Sequence, residues 1–245
     1  MMQSNHTAPD SDARDILLDV FLNDEPENCQ KLYMGIPRFF GAPKETVQNG
    51  TFYPHAISNL IRFTELFPED QTHLFFALRN PATFIPALMS EAKTNKPNFI
   101  LNKSDPHSLR WSDLLIFIRK RFPALPMTIW CTEDTPFIWG QLMRLVGGFS
   151  PATPMVSSYS LIENILTQEG FHRFQAYLEK HPDINERQKR KVMIAFAERF
   201  GRPDVLEQAV EVAGWDAQMV YDLTQKYEED LAKISAIPGL RLVIP

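Results

Sequence analysis

The sequence predicts an α/β fold: a small, mostly parallel sheet flanked by helices, with a helical C-terminal part packed on the same domain. Three observations carry this. The run His73-Leu74-Phe75-Phe76-Ala77-Leu78 is apolar, has no turn former and reads as a buried strand. It breaks at Arg79-Asn80-Pro81 into a helix over residues 82–92, and further short apolar runs alternate with stretches of helical spacing as far as residue 150. After Phe149-Ser150-Pro151 the pattern turns to helices. This divides the chain into a disordered tail (residues 1–14), an α/β core (15–150) and a helical part (151–245).

Taken in order, Met1 to Ala13 is polar and lacks the apolar residues that would order it. Residues 15–22 have helical spacing. Lys31 to Met34 is a short strand candidate, stopped by Gly35 and Pro37, and residues 38–50 read as a loop with further glycine breaks. Pro54 opens a helix through Phe67, whose broad apolar face includes Ile57, Leu60, Ile61 and Phe63. The strand ending at Leu78 follows. Asn80, before a proline, is steered out of the helical region, and Pro81 suits a first helical position; Pro86 marks the true start of this helix or a kink.

Residues 95–106 read as loop, with a small apolar island at 98–101. The next helix carries the stripe Trp111, Leu114, Leu115, Ile118 and Phe122. Met127 to Cys131 is another strand, and the Glu133-Asp134-Thr135-Pro136 segment starts a helix that Gly147-Gly148 ends. Residues 160–180, 186–200, 204–213 and 216–237 read as helices, and 240–244 as a last strand.

Composition narrows the function classes. Hydrophobic content of 44% over 245 residues supplies a real core. A net charge of −5 argues against a general nucleic-acid binder, which needs a basic footprint. Two cysteines, Cys29 and Cys131, without paired spacing fit a reducing compartment. The N-terminus has no basic region followed by an apolar run, and no apolar stretch approaches the roughly 20 residues of a membrane helix. The expectation is a cytoplasmic protein with no membrane partner.

The functional signal lies at Arg79, where a buried strand gives way to a helix N-terminus. Ligands favour that edge of an open α/β sheet, and helix N-termini favour anions. A structural ion pair at the sheet edge is the competing role for Arg79. Two segments in this neighbourhood carry a resemblance. Phe75 to Pro81, and Met127 to Asp134 with the helix running to Leu145-Val146-Gly147, resemble in order and separation the sulfotransferase branch of the P-loop nucleotide-binding proteins. Trp111-Ser112-Asp113-Leu114 lies between them as in that family. The wording is nearest to sulfotransferase-like proteins of alphaproteobacteria, and the likeness spans roughly residues 30–150.

The resemblance implies a truncated P-loop fold in which Arg79 and a helical serine hold the 3′-phosphate of phosphoadenosine phosphosulfate. The implied activity is transfer of its sulfonate to a hydroxyl or amine acceptor. The family's serine falls near Ala87, with Ser90 one turn later as the available hydroxyl. The family's glycine-containing phosphate loop and its lysine have no counterpart between Met1 and Gln30, where the first strand belongs. The C-terminal Lys-Gly-x-x-Gly segment is also missing. No residue emerges as the catalytic base. Two readings therefore stand: a sulfotransferase, or a non-catalytic sulfotransferase-like domain acting through anion binding or protein–protein contacts, with a homodimer through an open sheet edge among its forms.

Other candidates have ordinary structural roles beside their chemical ones. Glu133 and Asp134 can serve as a base or metal ligands, but such a pair more often caps a helix, as Thr132 or Asp134 would here. His55 opens a helix on the surface, and His107, His172 and His181 lack ligand spacing, so no metal site is expected. The run Arg187, Lys189, Arg190, Lys191 shares its helix with Glu186 and Glu198 and reads as a solvated face.

Overall fold

The computed structural model describes residues 12–22, 29–151, 153–206, 212 and 215–245. Helix α1 spans Ala13–Leu22, so Ala13 and Arg14 are helical, while residues 1–11 of the expected tail lie outside the described residues. Residues 31–36 form no strand, in contrast to the expectation for Lys31 to Met34: among the described residues no strand pairs with them, and a lone segment gains no ladder. The expected loop at 38–50 is also more ordered than its glycines suggest. A 3₁₀ turn at Pro43–Glu45 leads into a hairpin of β1 (Val47–Gln48) and β2 (Thr51–Phe52). Asn49 and Gly50 both take positive φ, 52° and 74°, as a two-residue hairpin turn requires. That Asn-Gly pair is the sequence signal for the hairpin, hidden among the surrounding breaks.

Helix α2 covers Ala56–Leu66, and β3 covers Leu74–Leu78. Helix α3 runs Pro81–Glu91 with Pro81 in its first turn and Pro86 inside it. The apolar island is a short helix, α4 (Pro97–Leu101), closed by Asn102 in the left-handed region at φ 46°. Helix α5 (Trp111–Arg121) buries the expected stripe: Trp111, Leu114, Leu115 and Ile118, with Phe122 just beyond its end. Strand β4 (Met127–Cys131) and α6 (Thr135–Gly147) follow, with Gly148 closing α6 at φ 67°.

The helix expected over 160–180 is two, α7 (Ser160–Ile165) and α8 (Gln168–Lys180). The break has a cause: the Thr167 side chain accepts the Gly170 N–H to cap α8, while buried Leu166 pairs with Gly201 as an isolated bridge. Helix α9 spans Glu186–Phe200, as read from the sequence. The next helix is described only as α10 (Pro203–Leu206), and residues 207–211 and 213 of the expected element lie outside the described residues. Helix α11 (Ala217–Ser235) and β5 (Leu240–Val243) complete the fold.

Strands β3, β4 and β5 form one parallel sheet in that order, with Leu74 opposite Met127 and Met127 opposite Leu240. The period of two then explains why the strands read as unbroken apolar runs. Leu74, Phe76, Leu78, Met127, Ile129, Cys131, Leu240 and Leu242 belong to the main core, packed with residues of α2, α3, α5 and α11. Trp130 and Val243 turn to the other face, against Ile138 and Leu142 of α6. Helices α7 to α9 build a separate core around Phe174, tied to α6 by the buried Arg144, whose guanidinium donates to Glu186 at 3.1 Å and to the Thr153 carbonyl at 2.8 Å. Of the basic run on α9, Lys189 pairs with Glu186 and Arg190 donates to Gln141, while Arg187 and Lys191 are exposed. Among the described residues no helix is long and apolar enough to cross a membrane.

Candidate functional site

The C-terminal ends of β3 and β4 lie side by side, Leu78 opposite Cys131, and each strand turns at once into a helix. This corner holds the candidate arginine. Its backbone is fixed by the turn: the Asn80 side chain accepts the Ala82 N–H at 3.0 Å and so caps α3, and the Arg79 carbonyl accepts the Trp111 indole N–H at 2.9 Å. The Arg79 Nε donates to Thr83 Oγ1 at 3.1 Å, one turn into the helix. Ser90 is elsewhere. It is exposed near the far end of α3, and nine residues of helix put it roughly 13 Å along the axis from the turn.

The decisive neighbour comes from β4. Glu133 does not cap its own helix; its Oε1 accepts the Asn80 backbone N–H at 2.7 Å. A carboxylate of the chain itself therefore sits on the entry to α3, where an anionic ligand would be drawn. Asp134 occupies the N-cap position of α6 without a side-chain capping bond, so neither Thr132 nor Asp134 plays the capping role expected of them. Burial, with the nearby Glu133 charge adding to it, raises the Asp134 carboxyl above its ordinary range.

Helix α11 supplies the lid of the corner. Thr224 Oγ1 accepts from Asn80 Nδ2 at 2.9 Å, and the Tyr227 hydroxyl faces Glu133 Oε2 at 3.5 Å. Burial first, then the adjacent Cys131 and Glu133, hold the Tyr227 phenol well above the usual tyrosine range, so it stays a neutral donor. One turn on, Asp230 is 2% exposed and accepts the Ser112 hydroxyl at 2.5 Å and the Ser112 N–H at 3.1 Å. It thereby caps α5, whose own N-cap residue, Arg110, provides no side-chain bond. The signal for these residues was a polar interruption of a stripe: Leu223, Tyr227, Asp230 and Ile234 share the buried face of α11.

Burial pushes the Cys131 thiol up to about 11. At pH 8 it is protonated and enclosed, whereas Cys29 is half-buried. Iodoacetamide on the native chain should modify Cys29 well before Cys131, and both at similar rates in denaturant; early Cys131 labelling would contradict this. The sign of the linkage follows. A thiol favoured in its protonated form by folding adds stability below its ordinary value near 9, and that contribution is lost as pH rises through about 11.

His55 is exposed at the start of α2, and the described residues contain no group of three or more potential metal ligands. No protein-family model, no curated protein and no solved structure matches the chain.

Proposed function

We propose that the chain is a non-catalytic domain of the sulfotransferase-like kind, acting through contacts with another protein rather than by sulfonate transfer. The carrying observation is the position of Glu133. In the sulfotransferase reading, Arg79 and the start of α3 receive the 3′-phosphate of phosphoadenosine phosphosulfate. Here the Asn80 N–H at that point is engaged by a carboxylate at 2.7 Å. A phosphate brought beside it meets like-charge repulsion of roughly 1–4 kcal/mol per charge pair, depending on how far water screens the site. Asn80 Nδ2 and the Asn80 side-chain oxygen are likewise engaged, with Thr224 and Ala82. The corner's polar groups hold the turn and α11 together, a structural use of a position that could otherwise bind a ligand.

Calorimetric titration with adenosine 3′,5′-bisphosphate tests this. The expected result is no saturable binding in the micromolar range by a chain whose circular dichroism shows it folded. Micromolar binding that disappears in Arg79→Ala would overturn the proposal and restore the enzyme reading, with Arg79 as the phosphate ligand and a hydroxyl or amine as the acceptor.

A further inference from the structure

The geometry points to the outer edge of β3 as the docking place of an extended peptide from another protein, with alternating apolar residues flanked by acidic ones, which joins the sheet as a fourth strand. This rests on the reading of the chain as a domain that acts through protein contacts, and names the surface and the partner's chemistry.

The first observation is the ladder. Leu74 donates its N–H to the Pro126 carbonyl at 2.9 Å, which sets the backbone groups of Leu74, Phe76 and Leu78 toward β4. Those of Phe75 and Ala77 point the other way, and they have no hydrogen-bond partner among the described residues. Edge strands are usually blunted by a charge, a proline or a bulge. The Leu-Phe-Phe-Ala-Leu sequence of β3 carries none of these.

The second observation is what lies beside that edge. A cavity of about 1170 Å³ runs along Leu74, Phe75 and Phe76, and residues 31–36 form part of its wall. The floor is apolar, Leu18, Phe63 and Leu145 among it. The chain as a whole has 30 acidic and 25 basic residues, yet among the described residues Arg14, Lys31 and Arg38 line this cavity and no Asp or Glu does. Arg38 is paired with Glu91 at 2.8 Å and Arg14 lies over the Phe67 ring, while Lys31 makes no ion pair among the described residues.

These features decide between occupants. An acyl chain would match the apolar floor and leave the Phe75 and Ala77 backbone groups dry and unpaired, which is costly. A second copy of the chain would pair the edge but offer from this wall only further cations, which leaves Lys31 unanswered. An extended peptide pairs the edge, fills the floor with alternate side chains and answers the cations with its acidic flanks, as in strand addition generally.

Panning a displayed library of peptides about eight residues long on the full chain tests the inference, with affinities of enriched peptides read by fluorescence polarisation. The expected enrichment is for alternating apolar residues flanked by Asp or Glu. Lys31→Glu, an exposed surface change, should weaken such a peptide about tenfold. Methylating alternate peptide nitrogens, which leaves every side chain in place, should abolish binding. No enriched family, enrichment of basic peptides, or binding that survives methylation would each overturn the inference. So would a chain that sediments as a dimer with the Phe75 and Ala77 amides protected from exchange. The nucleotide titration is independent: it can overturn the non-catalytic reading whatever the library yields, and a failed library leaves that reading standing.

Discussion

Replacing Trp111 with alanine lowers the free energy of unfolding by about 4 kcal/mol, near the upper end for large-to-small changes in a core. The side chain is 1% exposed. It stacks on Phe52 with ring centroids 3.9 Å apart and packs against Tyr53, Phe76 and Phe84, so its removal opens a cavity between the hairpin, β3 and α5. It also strands the Arg79 carbonyl, which loses the indole N–H. Trp111→Phe separates the two effects: it keeps most of the ring packing, loses the hydrogen bond and costs about 1–2 kcal/mol. Urea unfolding followed by circular dichroism measures both. A loss below about 1 kcal/mol for the alanine variant would mean that the hairpin does not pack on α5 as described.

Asp230→Ala removes about 3 kcal/mol. Two donors at the start of α5, the Ser112 hydroxyl and N–H, are left without the carboxylate in a buried place. The loss also detaches α11 from α5, whose mutual position holds Tyr227 and Thr224 over the corner. Asp230→Asn keeps an acceptor and gives up the charge, so it should fall between the wild type and alanine. Thermal or urea unfolding of the three proteins supplies the order. Equal stability of Asp230→Ala and wild type would show that α5 is capped by something else.

The frame of this molecule was legible because its central strand is buried and β3 is apolar throughout, though only partly buried. Leu74 to Leu78 and Met127 to Cys131 show as apolar runs between breakers, since helices cover the sheet above and below. Helix α9 was equally plain: its Asn185 cap and Gly201 end are local features. Arg79 was placed at the strand-to-helix corner from the apolar run before it and the Asn80-Pro81 break after it. Its surroundings were not. Glu133 is 53 residues from Asn80, and a local reading of Glu133-Asp134-Thr135-Pro136 can see only a helix start. Thr224 and Asp230 reach the corner across 144 and 118 residues, distances over which sequence spacing carries no register. The hairpin at Val47–Phe52 failed for the opposite reason: strands of two residues give too short an alternation to stand out from the Asn-Gly turn between them.

Glu133 accepts the Asn80 N–H at the start of α3, the place an anion would otherwise take. The most direct measurement compares the thermal midpoints of wild type and Glu133→Ala in phosphate and in chloride at matched ionic strength. With the carboxylate gone, the Asn80 N–H beside the helix N-terminus is open to a substitute, so phosphate should raise the midpoint of Glu133→Ala and leave that of the wild type where chloride puts it. An equal response of the two proteins to phosphate would contradict the claim.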